Sequence, residues 1–294
     1  MEVLIIGAGR IGQAFKYMCE KTGAHVSFFD VDATKIPDML PLAETVPAAD
    51  VIFLCVQSFA IRGVLAEITP LIKPGALIVS VAKGIERDTL KTVDQVMAEC
   101  VKPGQGWGVI IGPMLAEEIL EGKGSAGVYV GNDVGSCTRL QSLISPHDLT
   151  LECSNDTHGV ALAGVLKNIY ALALGVADGV GWGANRKGWL VTQAIREMRE
   201  ILALRGADPR TADGPAGLGD LVATGSSPHS RNRTTGETLV KTGEINPLSE
   251  GYISLTSLAK MLGDTPREKF IIFSALYKIV IDHKDATEIF RAMV

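Results

Sequence analysis

The chain has 294 residues, 47% hydrophobic and 21% charged, which is enough apolar material for one large core or two ordinary ones and too much for a disordered polypeptide. Its formal charge of −5, with no basic run to offset it, gives no attraction to nucleic-acid phosphates or anionic membranes, so nucleic acid is not an expected partner. The five cysteines, Cys19, Cys55, Cys100, Cys137 and Cys153, are scattered and odd in number, and no two histidines stand at helical metal-ligand spacing; reduced cytoplasmic thiols and no metal are expected.

The opening residues, Met1-Glu2-Val3-Leu4-Ile5-Ile6, lack a positive leader and read as a strand rather than a secretory signal. Short β-branched runs then alternate with helical patterns, with strands predicted at 3–6, 26–29, 51–56, 77–81, 108–111 and 127–130. Near-continuous apolar strands joined by helical crossovers describe a doubly wound, Rossmann-like parallel sheet covered on both faces. Directly after the first strand comes Gly7-Ala8-Gly9-Arg10-Ile11-Gly12, opening a helix. In that context Gly7 permits the tight turn, Gly9 lets a pyrophosphate approach the backbone, and Gly12 lets helix and strand pack closely. The alternative is a glycine-rich turn without a ligand. Asp30 closes the second strand about 20 residues further on, where a carboxylate accepts from ribose hydroxyls. NAD is therefore the expected cofactor, with NADP admitted but disfavoured, because a 2′-phosphate would meet Asp30 and Asp32 with only Lys35 to offset them. Asp30 or Asp32 could instead cap the following helix.

After Cys153 the strand rhythm ends, and helices are predicted at 157–179, 187–205, 232–242, 251–262 and 267–281. The expected division is a dinucleotide-binding domain over 1–153 and a mostly α-helical substrate domain over 154–294. Residues 160–180 could span a bilayer by length, but Lys167, Asn168 and Asp178 and many small residues favour a buried central helix over membrane insertion. An apolar helical domain also permits a homodimer.

Lys167 shares a helical face with Val160, Gly164, Ala171 and Leu174, a surface kept low by small residues, leaving room for a substrate. A lysine desolvated there, or near a second cation such as Lys83, can exchange a proton near neutrality. In Gly217-Leu218-Gly219-Asp220-Leu221, a single carboxylate sits among glycines and apolar residues, as expected in a cleft, where Asp220 would orient Lys167. Ser230-Arg231-Asn232, at a predicted helix start, suits phosphate and equally suits a polar helix cap.

These segments together resemble the bacterial NAD(P)-dependent glycerol-3-phosphate dehydrogenases over nearly the whole chain. Besides residues 7–12, the resemblance rests on Lys83-Gly84-Ile85-Glu86, Gly112-Pro113, Leu166-Lys167-Asn168, Gly183-Ala184-Asn185, Ala216 with the Gly217-Leu218-Gly219-Asp220-Leu221 segment, Thr224 and Ser230-Arg231-Asn232, in family order. It implies reduction of dihydroxyacetone phosphate to sn-glycerol 3-phosphate for glycerophospholipid synthesis. By the same resemblance Lys167 is the acid/base residue and Asp220 binds substrate. It also sets Lys83, Gly112, Ser230, Arg231 and Asn232 against substrate and Arg10, Ile11, Lys83, Ala116, Arg231 and Glu250 against the cofactor, beside the Gly7, Gly9, Gly12 and Asp30 read above; Asn168, next to Lys167, would hold substrate in register. Met114 departs from the family serine after Gly-Pro, removing a polar substrate contact, and Gln57 replaces a usual proline. Two rival readings are a related dehydrogenase for another small hydroxy or keto acid, and a non-catalytic NAD-binding sensor.

Overall fold

The computed structural model describes residues 1–133, 135–263, 265 and 267–293. The chain divides into two compact units, Met1–Lys83 with Lys91–Ala161, and Gly84–Leu90 with Leu162–Val294.

In the first unit the chain runs β1 (Glu2–Ile6), α1 (Arg10–Glu20), β2 (His25–Phe29), α2 (Leu42–Ala48), β3 (Val51–Leu54), α3 (Ile61–Ile68), β4 (Leu77–Ser80), α4 (Val93–Cys100), β5 (Gly106–Ile111), α5 (Ala116–Leu120), β6 (Ala126–Gly131), α6 (Gly135–Leu143) and β7 (Thr150–Cys153). The strands form one seven-stranded sheet in the order β2-β1-β3-β4-β5-β6-β7. Strands β3 and β4 are buried at every residue, as their apolar sequences require when helices cover both faces. From β1 the chain passes to β2 on one side and later to β3 on the other, so a crevice opens at the carboxyl end of β1, the place where such sheets bind ligands.

Two features depart from the expected sheet. Strand β6 pairs antiparallel with β5, although the other five pairings are parallel. The intervening α5 has five residues, or roughly 7.5 Å of helix, too short to carry the chain back along a six-residue strand of roughly 20 Å. The chain therefore reverses and pairs on its return. The second departure is β7, an edge strand with one buried residue out of four, whose polar composition gave no strand signal.

The cysteine expectation is also corrected: Cys137 and Cys153 form a disulfide. Their separation of 16 residues concealed the pairing in the sequence, but α6 leads back to β7 and sets the two Cα atoms 6.1 Å apart, within the span a disulfide bridges. Cys19 and Cys55 are buried in thiol form, and burial pushes the Cys19 thiol up to about 12.

The second unit is helical: α7 (Thr157–Gly179, within this unit from Leu162), α8 (Ala184–Leu204), α9 (Asp220–Ser226), α10 (Arg231–Thr242), α11 (Glu250–Leu262), α12 (Ile271–Val280) and α13 (Ala286–Arg291). Helix α7 is long and apolar enough to cross a membrane, with mean hydropathy 1.8, yet its apolar window is wholly buried. Its small residues admit neighbouring backbones. A Cβ on Gly175 would lie 1.9 Å from the Arg233 carbonyl oxygen, and one on Gly236 would lie 2.1 Å from that of Leu172, so α7 and α10 can cross this closely only with glycine at both positions.

Buried Glu197, on α8, performs a task that local sequence left undone. Phe270, which precedes α12, has no capping side chain. Instead, the N–H of Ile272 donates to Glu197 Oε1 at 2.7 Å, and the N–H of Phe273 donates to Oε2 at 3.2 Å. The Tyr170 hydroxyl of α7 donates to the same Oε2 at 3.1 Å. Burial pushes the Glu197 pKa up to about 7 against the opposing pull of these donors.

Candidate functional site

The turn after β1 shows three glycines doing different things. Gly7 adopts φ +107°, and a Cβ there would lie 2.5 Å from the Cys55 carbonyl oxygen; on Gly12 it would lie 2.0 Å from the carbonyl oxygen of Gly7. Both glycines are required by the fold itself. At Gly9 an added Cβ meets nothing within 4 Å, so the space beside it is open. Gly9 is also the N-cap of α1, and no side chain caps that helix end. An uncapped helix N-terminus beside bare backbone fits a dinucleotide pyrophosphate.

Asp30 is brought to this turn. Its Oδ2 accepts the Ala8 N–H at 2.8 Å, its Oδ1 accepts the Asp32 N–H at 2.9 Å, and Lys35 Nζ donates to both oxygens at 3.1 and 3.2 Å. Burial would raise its pKa, but these donors hold the carboxyl below its ordinary value. Asp30 thus ties β2 to the glycine turn. Asp32 does cap the short turn that follows, accepting from the N–H of Thr34.

Elsewhere in the first unit, Lys83 Nζ donates to the Gly112 carbonyl oxygen at 2.8 Å. Gly112 is glycine because a Cβ would lie 2.4 Å from the Ala126 carbonyl oxygen. Arg10 pairs with Glu117 at 3.1 Å, which brings it beside Ala116 at the start of α5. Met114 is buried in the apolar core of this unit, with its sulfur facing Gly127, and fills space rather than offering a polar atom.

In the second unit Lys167 lies on α7 with its side chain 7% exposed. Its Nζ lies 3.0 Å from Asp220 Oδ1 and donates to the Thr224 hydroxyl oxygen at 2.8 Å. The Thr224 hydroxyl in turn donates to the same Asp220 oxygen at 3.0 Å. Asp220 and Thr224 stand one helical turn apart on α9, so both face α7. The segment before them is a π-helical turn, Pro215–Gly219, with a close approach of Gly217, whose Cβ would lie 2.2 Å from the Ala212 carbonyl oxygen. The glycines expected to lend flexibility instead pack the backbone tightly and aim Asp220. The result is a dry ammonium held by a carboxylate and a hydroxyl, an arrangement able to deliver a proton in a fixed direction.

Around this cluster, Asn168 Oδ1 accepts from Asn232 Nδ2 at 2.8 Å. Ser230 is the N-cap of α10, its Oγ accepting the Arg233 N–H at 3.2 Å, so the capping alternative for this residue is realised. Arg231 begins α10 and lines a cavity of about 330 Å³ with His229, Thr234, Thr235 and Thr238. Glu250 begins α11, between Ser249 and Gly251, whose hydroxyl and N–H respectively reach Asn232. Sequence reading missed the part played by Thr224, signalled by its spacing of four from Asp220, and by Ser249 and Gly251, which carried no signal.

Family models described as the NAD-dependent glycerol-3-phosphate dehydrogenase N-terminus and C-terminus match residues 35–135 and 156–291. The chain is 32% identical, over 97% of its length and 94% of the relative's, to the glycerol-3-phosphate dehydrogenase [NAD(P)+] of Geobacter metallireducens. With the enzyme of that name from Streptomyces griseus it shares 36% identity over 81% of its own length and 78% of the relative's. Among solved structures, the glycerol-3-phosphate dehydrogenase of Coxiella burnetii superposes with a TM-score of 0.86 at 24% identity, covering 99% of this chain and 98% of that one. Sequence and fold agree, and the chain belongs to the NAD-dependent glycerol-3-phosphate dehydrogenase family.

Proposed function

We propose that this chain interconverts dihydroxyacetone phosphate and sn-glycerol 3-phosphate, with NAD(P)H as the redox partner. The observation that carries the mechanism is the buried contact of Lys167 with Asp220 and Thr224. The bound cofactor supplies the hydride that converts the C2 carbonyl carbon to a secondary alcohol carbon. Lys167 gives its proton to the C2 oxygen as that oxygen gains charge, and takes it back in the reverse direction. Asp220 and Thr224 hold the ammonium in place, so little reorientation is needed at the moment of transfer. Asn168, Ser230, Arg231 and Asn232 bind the phosphorylated substrate, with the planar Arg231 guanidinium matched to phosphate oxygens. The family resemblance likewise assigns Lys83 and Gly112 to substrate, and Lys83 also to the cofactor. Gly7, Gly9, Arg10, Ile11, Gly12, Asp30 and Ala116 are assigned to the dinucleotide, and the family resemblance assigns Arg231 and Glu250 to it as well.

Two parts of this reading reach beyond the reaction: the domain division over 1–153 and 154–294 puts the glycine turn in the first domain and the Lys167 cluster in the second, and the product feeds glycerophospholipid synthesis in the cytoplasm. The test is NADH and NADPH oxidation by the purified chain with dihydroxyacetone phosphate, beside a panel of keto acids. Turnover confined to the triose phosphate is the expected result. Turnover with keto acids alone would overturn the phosphate assignment, and cofactor binding without turnover of any candidate would overturn the enzymatic one.

A further inference from the structure

Ser249 precedes α11 at the position where a serine ordinarily accepts the first-turn N–H groups of its own helix. It makes no such bond. Its fully buried hydroxyl instead donates to Asn232 Oδ1 at 2.8 Å, and the Gly251 N–H donates to the same oxygen at 2.9 Å. The close approach of α11 also depends on glycine: a Cβ on Gly251 would lie 2.4 Å from the Asn168 carbonyl oxygen and 3.3 Å from Asn232 Oδ1. A local rule is set aside in favour of one buried amide, which is the kind of departure expected near a functional site.

The chemistry of the donors fixes the direction of this network. A backbone N–H can only donate, so the atom of Asn232 that faces Gly251 is its oxygen. Asn232 Nδ2 is thereby turned to Asn168, whose amide must present its own oxygen in return, as the 2.8 Å contact records. With Oδ1 committed to Asn232, the NH2 end of Asn168 points away from Asn232. Asn168 directly follows Lys167 on α7.

We infer that Ser249 and the Gly251 N–H act as positioning groups that set the polarity of Asn168, so that Asn168 meets substrate as a hydrogen-bond donor and selects carbonyl or phosphoryl oxygen. This rests on the triose phosphate reading above. Both oxygen types in dihydroxyacetone phosphate that carry chemistry or charge, the C2 carbonyl and the phosphoryl oxygens, are acceptors. A reversed amide would set oxygen against oxygen.

The test is steady-state kinetics with dihydroxyacetone phosphate and NADH on the full chain and on Ser249→Ala, Asn232→Asp, Asn168→Asp and the double Asn variant, with thermal midpoints measured alongside. Losing the Ser249 hydrogen bond is expected to raise KM for dihydroxyacetone phosphate by about fivefold, with KM for NADH unchanged within about twofold. In Asn232→Asp the carboxylate still accepts from Ser249 and Gly251 but offers nothing to Asn168, whose amide reverses; KM should rise by about 30-fold or more. Asn168→Asp replaces the same donor with an acceptor, so the double variant should lose little more than the worse single one. Additive losses, or a Ser249→Ala variant whose thermal midpoint falls while its KM for dihydroxyacetone phosphate holds, would overturn the inference and leave a purely structural link. A wild-type chain inactive on dihydroxyacetone phosphate would overturn the functional reading and the inference together, whereas an active one with unchanged Ser249→Ala kinetics overturns the inference alone.

Discussion

Around Gly7, Gly9 and Gly12 the first unit makes its site by leaving side chains out, while around Lys167 the second unit makes its site by burying polar side chains and pairing each with another. Gly7 and Gly12 are held by backbone at 2.5 and 2.0 Å from where a Cβ would stand, and Gly9 faces open space. Lys167, Asp220 and Thr224 are instead mutually dependent, each contact near 3 Å and shared with the next. A site of bare backbone can be damaged by adding a methyl group. A network of buried charges is damaged by removing a partner, because the group left behind has lost both water and its counterpart.

The comparison is broken most directly at Lys167. Lys167→Ala should lower kcat with dihydroxyacetone phosphate by about 1,000-fold while NADH affinity, measured by fluorescence titration, is retained. The variant should also lose stability because Asp220 is stranded; pairing Lys167→Met with Asp220→Leu should recover stability in urea melts without recovering turnover. If the single variant keeps its turnover, Lys167 is not the proton donor.

The glycine turn should separate fold from ligand in one pair of variants. Gly12→Ala is expected to cost about 3 kcal/mol in denaturant unfolding, because its Cβ overlaps the Gly7 carbonyl. Gly9→Ala should change stability by less than about 0.5 kcal/mol yet weaken NADH binding about tenfold. Equal affinity for NADH in the Gly9→Ala variant would remove the pyrophosphate from this position.

Glu197 gives the buried polar unit a pH dependence towards neutrality, whereas Asp30 at the glycine turn, its carboxyl held low by its donors, responds only in acid. Its pKa is pushed up by burial to about 7, above the ordinary 4.5, so the folded chain holds this proton to higher pH than the unfolded chain. Its contribution is therefore complete below pH 4.5 and is lost as pH rises through about 7, amounting to roughly 3 kcal/mol. Urea unfolding at a series of pH values should show this slope, and Glu197→Gln should flatten it. A slope unchanged by Glu197→Gln would assign the titration elsewhere.

Two smaller effects sharpen the contrast. Thr224→Val keeps the shape but deletes the hydroxyl between Lys167 and Asp220, and kcat should fall about tenfold with a smaller change in KM. Asp30→Ala should reduce the ratio of NADH to NADPH efficiency by a fewfold and weaken both cofactors, since Asp30 also holds the Ala8 N–H. If the ratio holds while both affinities fall, Asp30 serves the turn alone.

The same contrast explains what was legible. The glycine turn and the apolar strands are contiguous in sequence, and their periodicity reports burial directly, so the doubly wound sheet and the helix of residues 157–179 could be read from the order of residues. Strand β7 escaped because an edge strand with one buried residue carries almost no apolar signal, and the reversal at β6 escaped because it follows from the length of α5 rather than from β6 itself. Met114 drew notice as a departure from a family pattern, yet its sequence could not show that its side chain turns into the core.

By itself the sequence determined the alternation of elements, the glycine turn, the family and the residue types able to move a proton or hold phosphate, because these depend on local backbone geometry and on chemical identity. Tertiary structure decided which of those residues touch. Thr224 reaches Lys167 across 57 positions, Ser249 reaches Asn232 across 17, and Cys137 joins Cys153 across 16. None of these contacts has a period, since each arises only when packed helices or returning strands remove water and leave a polar atom with one available partner.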